Sequence, residues 1–492
     1  MNTQLAILIV YVALLLGLAA WATRLQAKTA AHNKMLSYLL AGRNMPAAFV
    51  AVMLIGLAIG GASTVGVAQT AYTKGLSAGW YNGAWGAGGI FVGLFAAGYL
   101  RKMRVKTVPE MVGLMYGPKT RFLSVISQLL VMITITSLQY VAGGAILSAL
   151  MPDIFPSLRH GMVVTAAIFV LITVMGGYWA SGLTNLVNVV VIYIGIIAAL
   201  FQTFGRFGGL EAIKASLPPG GWFALVGSAP ESLGGWAVAG YLAVMITMAV
   251  STQAATQIVF SAKDEKTARL GMVAGGVIIL PAGFLCALFG VVAAAKFPGL
   301  NPALALPTIA AELTPLVGGV FLAALWAADI STAVGLLMGC STLVLEDIVK
   351  KAYKKPIADR NQLAVSRATV LCVSALSFLL ALTVSSILSM LTTALAVTTS
   401  FTLLILANIY APRLCKRAAG FPVVLASLIL WLVWTLLPAL ESASPALEAL
   451  NIRGFFKGQL IYPEWLVCLL IFAACAVFGK NPADKLLPQE DA

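Results

Sequence analysis

The segment WAADISTAVGLLMGCST carries oxygen-bearing side chains that could bind or move a small cation. Ala328, Ser331 and Thr332 recur at i, i+3 and i+4, so a helix would present them on one face. Asp329 lies at the flank of that face, about 60° from Thr332 on a helix. Hydroxyls in apolar helices usually bond back to their own backbone. The pair therefore predicts a sodium site only together with carbonyl oxygens from an interrupted neighbouring helix.

Asp329 is the one acidic residue of 17 that we expect deep in an apolar run. A charge at the centre of a bilayer costs roughly 3 kcal/mol or more, so its presence needs a physical reason. Two interpretations stay open. Asp329 is a proton or cation partner, or it bonds a neighbouring helix or stays protonated and only stabilises packing.

Residues 46–76 contain the candidate interrupted helix. The stretch is long and apolar enough to cross a bilayer, yet Gly56, Gly60 and Gly61 are followed at mid-depth by Ser63 and Thr64. Glycine and hydroxyl residues favour a break whose free carbonyls coordinate a cation and whose half-helix N-terminus attracts an anionic group. The alternative is a close helix-packing face built from small residues.

The composition places this element in a polytopic membrane protein. The chain has 492 residues, of which 60% are hydrophobic and only 10% charged. Thirteen apolar runs predict thirteen transmembrane helices. They lie near 4–23, 46–73, 79–100, 122–150, 161–178, 184–204, 236–258, 270–294, 317–345, 368–384, 386–410, 420–440 and 461–479.

The net charge of +14 follows from the loops rather than from a nucleic-acid surface. With thirteen spans, 24 of the 31 Lys and Arg residues fall in loops on one side and 7 on the other. The positive-inside rule then predicts an outside N-terminus and a cytoplasmic C-terminus, in the cell's inner (plasma) membrane.

Other function classes find little support in the residues. We see no phosphate-binding GxxxxGK motif for an ATP-driven pump, and no Cys or His spacing for zinc. One deep Asp without a buried His is too little for a membrane-embedded enzyme. A membrane sensor of transporter-like fold would carry a signalling domain after the last span, and only about a dozen residues follow it. We expect no cofactor other than the coupling ion and no obligatory protein partner.

Four stretches resemble the sodium:solute symporter family. They are SYLLAGRNMP (37–46), KTVPEMVGLMYG (106–117), FSAKDEKTAR (260–269) and AALWAADISTAVGLLMGCSTLVLEDI (323–348), and the match runs in order from about residue 5 to 480. The resemblance implies a leucine-transporter-like fold: an inverted repeat of five plus five helices over about 46–410, with the first helix of each repeat broken. The spans near 4–23, 420–440 and 461–479 would be peripheral, and residues 1–492 would form one transmembrane domain.

The resemblance also implies a sodium site. Its ligands would be the carbonyls of Gly56, Ile59 and Ala328 and the hydroxyls of Ser331 and Thr332. A second sodium site of some relatives would use three positions that here hold Asn185, Val334 and Gly335, which implies one sodium per cycle.

The expected function is import of a small organic solute by sodium-coupled alternating access. Asn82 and Ala58 stand where sugar and proline carriers have an acid, which argues against both substrates. The half-helix N-terminus favours an amino acid or a monocarboxylate, and Asp329, if it reaches the pocket, would favour an amine-bearing solute. Proton coupling through Asp329 is the alternative within transport. The candidate substrate contacts are Ser63, Thr64, Gln69, Asn82, Tyr140, Thr252, Gln253 and Thr399.

Overall fold

The computed structural model describes residues 3–29, 34–353, 357–384 and 386–484. These residues form helices, with two isolated backbone bridges and no extended strand among them. The N-terminal helices are α1 (Thr3–Thr29), α2 (Lys34–Leu40), α3 (Ala47–Ala58), α4 (Val67–Lys74), α5 (Trp80–Phe91), α6 (Ala97–Lys102), α7 (Val108–Tyr116), α8 (Pro118–Leu150), α9 (Leu158–Arg206) and α10 (Gly209–Ser216).

The C-terminal helices follow in the same order. They are α11 (Gly235–Ser251), α12 (Gln253–Ser261), α13 (Glu265–Ile279), α14 (Ala282–Lys296), α15 (Ala305–Ala311), α16 (Pro315–Leu343), α17 (Lys350–Ala352), α18 (Asp359–Ala381), α19 (Ile387–Ala396), α20 (Thr399–Tyr410), α21 (Arg417–Ala443), α22 (Pro445–Leu450), α23 (Ile452–Phe455) and α24 (Ile461–Phe478). Wider π-helical turns connect three pairs of them, at Ala62–Gly66, Val92–Ala96 and Val344–Val349.

Eight helical stretches among the described residues are long and apolar enough to cross a membrane. Counting two sharply bent helix pairs as one span each gives up to ten. This agrees with a polytopic membrane protein, while the number thirteen and the inverted repeat stay predictions. The predicted spans 161–178 and 184–204 fall within the single continuous helix α9, so the expected turn between them is not present.

The first expected helix break is present between α3 and the helical turn at Ala62–Gly66. Ile59 follows α3 with φ −96° and ψ 86°, outside the helical region. The chain becomes helical again where the amides of Ser63 and Thr64 both donate to the Gly60 carbonyl, at 3.2 and 3.1 Å. All of these residues are buried, so the freed backbone groups must find partners inside the protein.

The second expected break separates α11 from α12. Thr252 adopts an extended conformation, with φ −72° and ψ 134°, and the two helices meet at a bend of 50°. The pair α19 and α20 is bent by 43°. Three of the elements expected in the core are therefore discontinuous.

Helix α16 forms the centre of the molecule. Of the most apolar 18 residues of this span, 89% are buried inside the protein, whereas the corresponding share is 28% for α21 and for α24. This contrast agrees with a polar core surrounded by peripheral helices near the C-terminus. It also places Ser331, Thr332 and Asp329 where no lipid reaches them, since each is at most 4% exposed.

Candidate functional site

The two hydroxyls of α16 meet the end of the first half-helix. Thr332 Oγ1 lies 2.7 Å and Ser331 Oγ 3.1 Å from the carbonyl oxygen of Gly56. The Ala328 carbonyl lies 2.7 Å from Ser331 Oγ and 3.2 Å from Thr332 Oγ1. Four of the five groups implied by the family resemblance thus share one small volume between two helices. We call these four residues the oxygen cluster.

The electrostatics of the oxygen cluster favour a cation. Gly56 belongs to the last turn of α3, whose carbonyls have no helical partner beyond the break and form the negative end of the half-helix dipole. Ile59, the fifth expected ligand, donates its amide to the Ile55 carbonyl at 2.7 Å. No contact given for the described residues brings the Ile59 carbonyl to the cluster.

Gly60 allows this close approach of helices. A Cβ on Gly60 would overlap Thr332 Oγ1 and would lie 2.9 Å from Gln139 Oε1. Any larger residue would therefore push α16 away from the break. Its position between two polar side chains explains why glycine stands there.

A cavity of about 20 Å³ lies beside the oxygen cluster, between the two helix breaks. Gly60, Gln139, Thr252 and Thr332 supply its polar wall. Its apolar wall consists of Leu57, Ala58, Ala62, Tyr81, Trp85, Ile135, Met248, Ala254, Leu336, Leu391 and Leu395. This volume admits about one water molecule, so an organic solute would need a rearrangement to enter.

Of the eight candidate substrate residues, Thr252 alone is among the cavity-lining residues that the structure describes. Its hydroxyl is buried and has no hydrogen-bond partner in the described chain. Ser63 and Thr64 lie at the break, but their hydroxyls bond the Gly60 carbonyl at 3.0 and 2.9 Å. Gln69 is partly buried on α4 and does not line the cavity.

Three other candidates are not among the cavity-lining residues that the structure describes. Asn82 is fully buried on α5 and packs against Gly283 of α14, where an added Cβ would lie 2.8 Å from the Asn82 Cβ. Tyr140 bonds Ser374 of α18 at 2.7 Å. Thr399 is buried at the start of α20, outside the cavity wall. Sequence spacing identified their depth but not the helix face that each one occupies.

Gln253 joins the second break to the loop that begins α7. Its Oε1 accepts from the Val108 amide at 2.8 Å, and its Nε2 donates to the Lys106 carbonyl at 3.3 Å. Lys106 in turn pairs with Glu346 at 3.1 Å. These bonds connect the second break, the loop before α7 and the turn after α16 on the side that carries the basic loops, which we call the basic end.

Asp329 lies behind the cavity wall, on the other side of the break. Its Oδ1 accepts a hydrogen bond from the Gly61 amide at 3.0 Å, and Gln139 Oε1 accepts from the same amide at 2.9 Å. The residue is fully buried, and its Oδ2 has no hydrogen-bond partner among the described residues. The Gly61 amide, at the N-terminal end of the half-helix, is therefore already bonded within the protein.

Sequence reasoning missed several groups of this region. Tyr81 and Trp85 line the cavity, and their i, i+4 spacing on a glycine-rich helix was the available signal. Glu464 on α24 is also fully buried, with its Oε2 3.9 Å from Cys468 Sγ. Glu464 lies near the start of a predicted span, where we expected the interface.

Comparison with known proteins gives the class of this molecule. The model of the sodium:solute symporter family matches residues 38–422. The chain belongs to the sodium:solute symporter family. It is 25% identical over 462 residues to the high-affinity proline transporter PutP of Bacillus subtilis, covering 87% of this chain and 93% of that protein. A sodium/pantothenate symporter of Haemophilus influenzae is 25% identical over 370 residues, covering 73% of this chain and 74% of that protein.

The fold has a similar counterpart among solved structures. A substrate-bound, outward-open structure of a Na⁺-coupled sialic acid symporter matches 99% of both chains with a TM-score of 0.76 at 17% identity. A nucleobase-cation symporter, Mhp1, in a closed conformation matches 92% of this chain with a TM-score of 0.58. The family and these relatives are transporters rather than enzymes, and the chain is a multi-pass membrane protein.

Proposed function

We propose that this protein is a sodium-coupled symporter that imports a small organic solute by alternating access. The observation that carries the proposal is the oxygen cluster. Two hydroxyls of α16 and a carbonyl at the end of α3 converge although the helices are more than 270 residues apart in the chain. Such a cluster at a helix break suits a desolvated monovalent cation, because neutral dipoles replace its water without adding a buried charge.

The cluster also gives a physical route for coupling. The sodium ion would hold α3 and α16 together, and Thr332 belongs to both the oxygen cluster and the cavity wall. A bound ion would therefore fix the wall that the solute touches. Coupling of this kind is reciprocal, so the solute must tighten sodium binding by the same factor.

We infer one sodium ion per cycle. At the positions that a second site would need, Asn185 packs against Gly56 and Val334 is a buried apolar residue. Gly335 offers no side-chain oxygen. A second sodium site at these three positions would thus lack the carboxylate and the two hydroxyls expected as its ligands.

Equilibrium binding of ²²Na⁺ to the purified protein tests the proposal. We expect one ion per protein, displaced by unlabelled sodium and not by potassium. The double variant Ser331→Ala/Thr332→Val should abolish binding, whereas Ser341→Ala should not, since Ser341 lies on the same helix and contacts the Ser366 carbonyl at 3.4 Å. Unchanged binding in the double variant would contradict the proposed site.

Proton coupling through Asp329 is the second candidate function, favoured by the unpartnered Oδ2 of that buried acid. It predicts accumulation driven by an inward proton gradient without sodium. The orientation, with the basic end in the cytoplasm and the protein in the inner membrane, belongs to the same proposal and follows from the distribution of Lys and Arg.

A further inference from the structure

At the first helix break, backbone amides at the N-terminal, positive end of the half-helix that follows the break already donate hydrogen bonds to side chains of the protein. Gly60 donates its amide to Ser63 Oγ at 2.8 Å. The next amide, that of Gly61, donates to Asp329 Oδ1 and Gln139 Oε1. Backbone amides at the start of a helix would otherwise attract an anionic group from a ligand.

Two glycines make room for the Asp329 carboxylate. A Cβ on Gly61 would lie 2.6 Å from Asp329 Oδ1, and a Cβ on Gly143 would lie 2.7 Å from Asp329 Oδ2. The carboxyl group is thus enclosed between the break and α8, with Oδ1 bonded to the Gly61 amide and Oδ2 beside Gly143 without a hydrogen-bond partner among the described residues. No Lys or Arg of the described chain pairs with it.

The cavity next to this carboxylate is suited to a positive group. Gly60 and Ala62, the neighbours of Gly61, both line the cavity, so Asp329 lies one residue behind the wall. Tyr81 and Trp85 present aromatic rings to the same space, and the described lining contains no Lys or Arg. Aromatic faces attract cations, and an opposite charge within about 4–6 Å favours the charged form of a buried acid.

We propose that Asp329 supplies the anionic group at the helix break, so that the solute carried by this site is an organic cation without a carboxylate. A solute carboxylate would have to displace Asp329 and Gln139 from the Gly61 amide and would then face a like charge at close range. This inference rests on the proposed symport, because it names the substrate class of the same site.

Sodium entry into proteoliposomes tests the substrate class without a known ligand. Small molecules of a cell extract are separated by ion exchange into cationic, anionic, zwitterionic and neutral fractions. Each fraction is added to proteoliposomes, and ²²Na⁺ entry is measured at a clamped membrane potential. We expect the cationic fraction to stimulate entry. Stimulation by the anionic, zwitterionic or neutral fraction instead would overturn the inference and leave sodium symport standing.

Two variants, one that removes the Asp329 charge and one matched control, give a second test of the inference. In Asp329→Asn the side chain still accepts from Gly61 but carries no charge, so the apparent affinity for the cationic fraction should fall about tenfold or more, roughly 1.4 kcal/mol. Binding of ²²Na⁺ alone should remain. Glu464→Gln removes the other fully buried acid, far along the chain on α24, and should change neither quantity. An unchanged affinity in Asp329→Asn would overturn the inference, and the lack of stimulation by every fraction would overturn the proposed symport with it.

Discussion

Thr332 Oγ1 and the carbonyl oxygen of Gly56 lie 2.7 Å apart, although 276 positions separate them in the sequence. The contact joins a continuous central helix to the end of a broken one. Gly60 lets the two elements meet, because any side chain there would overlap Thr332. One neutral hydrogen bond contributes only about 1 kcal/mol to stability, and in the proposed symport both groups would also be sodium ligands.

The first prediction distinguishes the contribution of the Thr332 hydroxyl from that of the volume of the side chain. Thr332→Val keeps the volume and removes the oxygen, so half-maximal uptake should require at least about tenfold more sodium. Thr332→Ser keeps the oxygen and should stay near wild type. Uptake measured against sodium concentration checks this. Equal sodium dependence in the valine and serine variants would show that the hydroxyl does not bind sodium.

The second prediction concerns the space at the break. Gly61→Ala would place a methyl group against Ala142 and Asp329. We expect a loss of about 1–3 kcal/mol of stability, as for other overpacked sites. Gly335→Ala is the matched control, because the nearest atom to its added Cβ is Leu57 Cδ1 at 3.8 Å. Thermal unfolding in detergent should therefore distinguish the two variants, and equal stabilities would contradict the packing described.

The third prediction concerns the hydrogen bonds that Gln253 makes at the basic end. Gln253→Leu removes the acceptor for the Val108 amide and the donor to the Lys106 carbonyl. Amide hydrogen exchange in residues 104–110 should accelerate about tenfold, which corresponds to the loss of about 1.4 kcal/mol. Gln202→Leu breaks a similar pair of bonds with Thr314 elsewhere in the molecule. It should leave exchange in residues 104–110 unchanged, and a similar acceleration in both variants would argue against a specific effect of the Gln253 bonds.

The fourth prediction fixes the orientation in the membrane. Lys351 and Ser228 are both exposed, in the short helix α17 and in the connection between α10 and α11 respectively. In a background without native cysteines, Ser228→Cys should react with an impermeant maleimide in intact cells. Lys351→Cys should react only after the membrane is permeabilised. The reverse pattern would contradict the orientation derived from the charge distribution.

The sequence predicted the first helix break from glycine, serine and threonine at mid-depth in residues 46–76, whereas the second break was implied only by the family resemblance. It also predicted that Ala328, Ser331 and Thr332 share a face, since helical periodicity fixes that relationship locally. The family resemblance added the partner Gly56. Neither the sequence nor the resemblance predicted which neighbours a side chain contacts when those neighbours are distant in the sequence.

Asn82 and Gln253 illustrate that limit. Both are polar and deep, yet one packs against α14 and the other bonds the loop before α7. Helical periodicity assigns a residue to a face but not to the neighbour that covers it. Asp329 is the same kind of case, because its bond to Gly61 depends on how α16 crosses the break.

Accumulation of solute by the purified protein in liposomes tests the central claim most directly. A mixed pool of labelled amines, amino acids, carboxylates, nucleobases and sugars is offered under an inward sodium gradient. The control replaces sodium with potassium at the same membrane potential and pH. The account predicts that one compound accumulates above its external concentration with sodium and not with potassium. Accumulation that needs an inward proton gradient, or that proceeds equally with potassium, would contradict sodium coupling.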